Sequence, residues 1–253
     1  MSAGAITGYI DVAQIALYVF WAFFAGLIYY LLQENKREGY PLESDRSGHI
    51  TVQGWPPIPS PKTFKLQHGG EVTVPNNKVS PQQLRATPTG PWPGAPLVPT
   101  GDAMLDGVGP GAYADRADTP DLTFEGTHRI VPLRADTAFS VAHEDTDPRG
   151  LPVVGADGAV GGTVTDIWVD RSEMLFRYLE VDVGGQRSVL LPINFTRIGN
   201  RQITVRAILG AQFAQVPGTR QADSVTLLEE EKIMAYYGAG TLYATAARQE
   251  PLL

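Results

Sequence analysis

The sequence predicts one N-terminal transmembrane α-helix, then a mainly β domain with a small antiparallel barrel and a short C-terminal helix. Three observations carry that prediction: an apolar run without charge from Val12 to Leu32, a dense run of prolines after it, and period-two alternation from about Leu151.

The apolar run reads VAQIALYVFWAFFAGLIYYLL, bounded by Asp11 before it and by Gln33, Glu34, Lys36 and Arg37 after it. Its 21 residues span about 32 Å as a helix, which matches the ~30 Å hydrocarbon core of a bilayer. A cleaved signal peptide fits less well, because residues 1–10 carry no Lys or Arg and the run exceeds the usual apolar length. Lys and Arg gather on the cytoplasmic side of a span, so Lys36 and Arg37 predict residues 1–11 outside, 12–32 across the membrane and the rest inside. Tyr29 and Tyr30 suit the inner interface, and Ala22 with Gly26 forms a small-xxx-small pair that admits close helix packing.

Of the 20 prolines, 12 lie between Pro41 and Pro99, which excludes long helices there. The segment 33–135 therefore reads as extended chain with short strands such as Val72 to Val74. Trp55, Phe64, Leu66, Trp92 and Leu97 favour a segment ordered on a surface over a disordered linker. The remainder, 136–253, reads as the barrel domain. Thr163 to Val169 is rich in branched residues, and Leu179, Val181 and Val183 alternate with Glu180 and Asp182. Gly184-Gly185 signals a two-residue hairpin into Ser188 to Ile193, and Gly199-Asn200 signals a second turn before Gln202 to Ala207. Thr226 and Glu229 have capping-box spacing, which predicts a helix from Leu227 to Tyr237 stopped by Gly238.

Composition removes several chemistries. There is no cysteine, hence no disulfide, thiolate nucleophile, Cys-ligated zinc or iron–sulfur cluster. The net charge of −7 argues against nucleic acid. No nucleophile elbow, zinc-binding H-E-x-x-H, P-loop or dinucleotide fingerprint occurs, and Gly107, Gly109 and Gly111 serve loop geometry. Nothing points to an enzyme. All four histidines, His49, His68, His128 and His143, lie outside the span, so the helix is an anchor or packing helix rather than a pigment ligand. Acidic residues recur in the soluble part, including Asp121, Glu125, Asp170, Glu173 and Glu230. They read either as a solvated face or as a proton path, which needs carboxylates and histidines within mutual reach.

The runs Ala25-Gly26-Leu27-Ile28-Tyr29-Tyr30, Arg37-Glu38-Gly39-Tyr40-Pro41-Leu42-Glu43, Asp106-Gly107-Val108-Gly109-Pro110, Asp166-Ile167-Trp168-Val169-Asp170 and Val225-Thr226-Leu227-Leu228-Glu229-Glu230 are similar to the H subunit of the purple-bacterial photosynthetic reaction centre. The resemblance spans almost the whole chain in order. It implies a PRC-type barrel on the cytoplasmic face of the L and M subunits, in the chromatophore inner membrane. It further implies membrane lipid around the helix and the light-harvesting antenna as a candidate neighbour. It also implies that bacteriochlorophyll, bacteriopheophytin, the quinones and the non-haem iron belong to the partner subunits, with none bound by this chain alone.

By the same resemblance, Glu173 falls on an acidic position of the proton network near the secondary quinone, and Arg177 matches as well. Asp121, Arg129 and Glu230 fall on the polar cytoplasmic network, and Asp170, which closes the matching run from Asp166, is a further proton-transfer candidate. The family's surface histidine pair, which takes up protons and binds inhibitory metal, is altered. Glu125 and Thr127 replace it, and His128 lies one position later, so Glu125 and His128 are the expected proton-exchanging groups and no metal ligands are assigned. A membrane-tethered barrel adaptor of another assembly is the competing reading, separable by copurification with bacteriochlorophyll.

Overall fold

The computed structural model describes residues 6, 11–37, 55–76, 84–92 and 94–249. Most of the N-terminal stretch 1–11, His49 and the motif after Arg37 lie outside the described residues. The chain forms two compact units, Met1–Val79 and Ser80–Leu253.

In the first unit, helix α1 spans Val12–Arg37 and is long and apolar enough to cross a membrane. Asp11 caps it, its Oδ1 accepting the Gln14 amide at 2.7 Å, so the residue that bounds the apolar run also starts the helix. The helix continues five residues beyond the predicted Leu32. Its polar last turn is held by the chain that follows: Arg37 pairs with Glu34 at 2.8 Å and donates to the carbonyls of Ser60 and Val74, and Lys36 donates to that of Pro56. Tyr29, predicted at the interface, lies with its ring centroid 4.9 Å from that of Trp55. Strands β1 (Lys62–Lys65) and β2 (Glu71–Val74) form an antiparallel hairpin.

In the second unit, β3 (Ala86–Pro88) pairs with β4 (Leu97–Pro99). The main sheet contains β5 (Ile130–Pro132), β6 (Pro152–Val154), β7 (Val160–Asp170), β8 (Leu175–Asp182), β9 (Ser188–Pro192), β10 (Thr196–Ile198) and β11 (Ile203–Val205). Its order is β10-β11-β6-β7-β8-β9, with β5 on β7. The predicted barrel is thus a half-barrel, antiparallel except where β11 runs parallel to β6. The long strand β7 organises it. One edge pairs with β8, while the other takes β6 near its start and β5 near its end, with register shifts that bend the strand. The branched run predicted on β7 and the alternation predicted on β8 bury Ile167, Leu179 and Val181 with Leu191, Phe213 and Ile233, and β7 is buried without alternation from Asp166 to Asp170.

Two turns of sequence logic are corrected. In the β8–β9 hairpin, Val183 still bonds to Arg187, and the central turn residues are Gly185 (φ 63°) and Gln186 (φ 63°), one position later than predicted. Helix α2 spans Leu227–Tyr243, beyond the predicted end at Tyr237, although Thr226 and Glu229 cap it as expected. Gly238 does not stop it. A Cβ there would sit 2.3 Å from the carbonyl oxygen of Pro110, and one on Gly240 would sit 2.5 Å from that of Ala207. These glycines let the helix approach neighbouring backbone, a use of glycine that a sequence cannot distinguish from a helix stop.

Candidate functional site

Pairing of β5 with β7 sets Ile130 opposite Asp170 and so brings Arg129 beside the end of β7. Asp170 is fully buried and accepts amides from Ser172 and Glu173 at 3.0 Å each, which fixes the tight turn into β8. Its carboxylate takes Nε of Arg129 at 3.0 Å and Nη2 at 2.9 Å. The same guanidinium reaches Asp121 at 3.1 Å and Glu173 at 2.5 Å. Burial pushes the Asp170 carboxyl up, but Arg129 and the two amides outweigh it and hold the group below the usual carboxylate range. Hydrogen bonds from Arg129, to Asp170 first, raise its own pKa against burial, so it stays a fixed cation.

Glu173 is about half exposed, with a side-chain accessibility of 49%, and stands 3.9 Å from Arg177. Arg177 lines a cleft of about 420 Å³ together with Tyr178, Arg116 and Glu230. There the Tyr178 hydroxyl donates to Glu230 at 2.6 Å. Burial raises the Glu230 pKa, opposed by Tyr178, Arg177 and Arg116. The Tyr178 pKa also rises, through burial and then the neighbouring Glu230 charge.

Six of the sequence-predicted residues therefore gather: Asp121, Arg129, Asp170 and Glu173 around one guanidinium, then Arg177 and Glu230 along the adjoining cleft. Glu125 and His128 do not join by their side chains. Both are exposed on a hairpin closed by Thr123 and Thr127, and no ion pair forms between them among the described residues. His128 contributes its carbonyl, which accepts from Arg171 at 2.9 Å. No group of three or more His, Asp or Glu residues converges as a metal site among the described residues. Ala22 and Gly26 lie on α1, and a Cβ on Gly26 would meet nothing within 4 Å.

Sequence reading missed Tyr178 and a second cluster. Asp166 lies directly across from Glu180 in the β7–β8 register, and Arg134 bridges them at 3.1 Å and 2.6 Å while Trp168 donates to Glu180 at 2.9 Å. Directly opposed like charges destabilise a ladder. Once the register is drawn, that opposition is the signal that a cation lies nearby.

The model of the PRC-barrel domain matches residues 141–212, the span that holds β6 to β11. The model described as the N-terminal region of the photosynthetic reaction centre H-chain matches residues 4–135, more than half of the sequence, including α1, Asp121 and Arg129. The chain belongs to the H-chain family of the photosynthetic reaction centre.

Proposed function

We propose that this subunit anchors through α1, stabilises the L and M core from its cytoplasmic side, and delivers protons toward the secondary quinone held by those partners. The observation that carries the proton role is the run of acids from the half-exposed Glu173, across Arg177, to the buried Glu230. Arg129 holds Asp170 as a carboxylate and draws Asp121 into the same cluster at the entry. Glu173 exchanges protons with water, and Glu230, whose carboxyl is raised, holds a proton more readily than an exposed acid does. Tyr178 orients Glu230 by donating to it. In this reading the N-terminus is periplasmic, and the pigments, quinones and iron sit on other chains. The adaptor alternative is set aside because the family match covers the N-terminal half and not the barrel alone.

Glu173→Gln tests the proposal, since it keeps size and removes the titrating group. Complex yield and first-flash charge separation are expected to be normal, with slower proton-coupled electron transfer after a second flash. Second-flash kinetics equal to wild type from about pH 6 to 9 would overturn the relay role.

A further inference from the structure

Between Asp182 and Asp223 the chain carries five arginines and no carboxylate, within a protein of net charge −7. Two of them are occupied locally. Arg187 donates to the carbonyls of Ala214 and Val216, and Arg220 pairs with Asp118 at 2.6 Å and Glu229 at 3.4 Å. Arg197, Arg201 and Arg206 are exposed and make no side-chain hydrogen bond or ion pair among the described residues.

Arg197 stands opposite Thr204 in the β10–β11 register. Arg206 follows directly on the end of β11 at Val205, and all three line one cleft of about 540 Å³. Asn194, Thr196, Thr241 and Arg248 complete its polar lining, which contains no acid. The Arg248 guanidinium is committed to the carbonyls of Ala207 at 2.6 Å, Gly240 at 2.5 Å and Arg206 at 2.8 Å, so it adds a fixed positive charge without a free fork. Arg197 and Arg206 keep their forks, so the cleft presents two cations with no carboxylate in its lining to balance them.

We propose that this cleft binds a phosphate group, as inorganic phosphate or as the headgroup of a phosphate-monoester lipid. Such a group carries about 1.5 to 2 negative charges near neutral pH, which two uncompensated guanidiniums balance. Each guanidinium fork matches two phosphate oxygens. The Thr204 hydroxyl and the Asn194 amide supply further donors.

The test titrates the full-length chain, in a nonionic detergent, with inorganic phosphate and separately with short-chain phosphatidic acid. One saturable site is expected for at least one of them, weakened by added salt and at least about tenfold in the double variant R197Q/R206Q. R149Q, which removes an arginine paired with Asp147 elsewhere, is expected to bind as wild type. Saturation by inorganic phosphate identifies the free ion as sufficient, and saturation by phosphatidic acid alone identifies the lipid. In the unmutated chain, the ligand that saturates is expected to protect Arg197 and Arg206 from phenylglyoxal, read by mass spectrometry. Absence of a saturable site for both ligands, equal loss in R149Q, or modification of Arg197 and Arg206 at the same rate with and without ligand would overturn the proposal.

Discussion

The Tyr178 hydroxyl on β8 donates a 2.6 Å hydrogen bond to Oε2 of Glu230 in the first turn of α2, a contact between residues 52 positions apart. It ties the sheet to the helix through an ionisable group, so protonation and packing are linked at this point.

Burial raises the Glu230 pKa above the usual 4.5. A raised folded-state value means that the fold favours the protonated form. The contribution to stability is then fully present below about pH 4.5 and is lost as pH rises through the folded value. Glu230→Gln is expected to flatten that part of the stability profile, making the variant relatively more stable at pH 7 to 8 than at pH 4. Melting curves across pH check this, and parallel profiles for the two proteins would contradict it.

Asp170 has the opposite sign, because Arg129 and two amides lower its pKa below 3.8. Its contribution is present above the unfolded value and is lost as pH falls through the folded one. Asp170→Asn is expected to cost about 1.5–3 kcal/mol at pH 7, the range for a hydrogen bond to a charged group. The difference from wild type is expected to shrink as the solution is taken below about pH 3.8, as denaturant titrations at several pH values measure.

Gly240→Ala stabilises an ordinary helix interior by about 1 kcal/mol. Here the added Cβ would meet the Ala207 carbonyl at 2.5 Å and Cγ2 of Ile208 at the same distance. A net loss of about 1–3 kcal/mol is expected from the overpacking. A raised melting temperature would show that α2 and the segment at Ala207 and Ile208 can move apart freely.

Gly26→Leu has no clash to make within this chain. Helix content of the isolated subunit is therefore expected to be unchanged, whereas the yield of complex with the L and M subunits falls, since small residues permit close helix contact in a membrane. Equal complex yields would remove Gly26 from the packing interface.

Much of the scaffold was legible in order along the chain. The charge-free run gave α1, branched alternation gave β7 and β8, and Thr226 with Glu229 gave the start of α2, because each is a local signal. The ends of both helices were not legible. Lys36 and Arg37 extend α1 by bonding to carbonyls of residues 56 to 74, and Gly238 sits inside α2 where the Pro110 backbone, more than a hundred residues away, leaves no room for a Cβ. The site divides in the same way. Its acids were named through the family resemblance, but their gathering depends on Ile130 pairing with Asp170, 40 positions apart, and Tyr178 had no local mark at all.

The hairpin that carries Glu125 and His128 is closed without either side chain. The Thr123 amide donates to the Thr127 carbonyl at 2.8 Å, the two threonine hydroxyls lie 2.9 Å apart, and Arg171 binds the base through the His128 carbonyl and the Thr127 hydroxyl, at 2.9 Å each. The exposed groups at 125 and 128 are thus spectators to the loop's own geometry. Replacing the side chain at 125 or 128 leaves every hydrogen bond that shapes this loop in place, so the shape of the rim and the chemistry displayed on it are set independently.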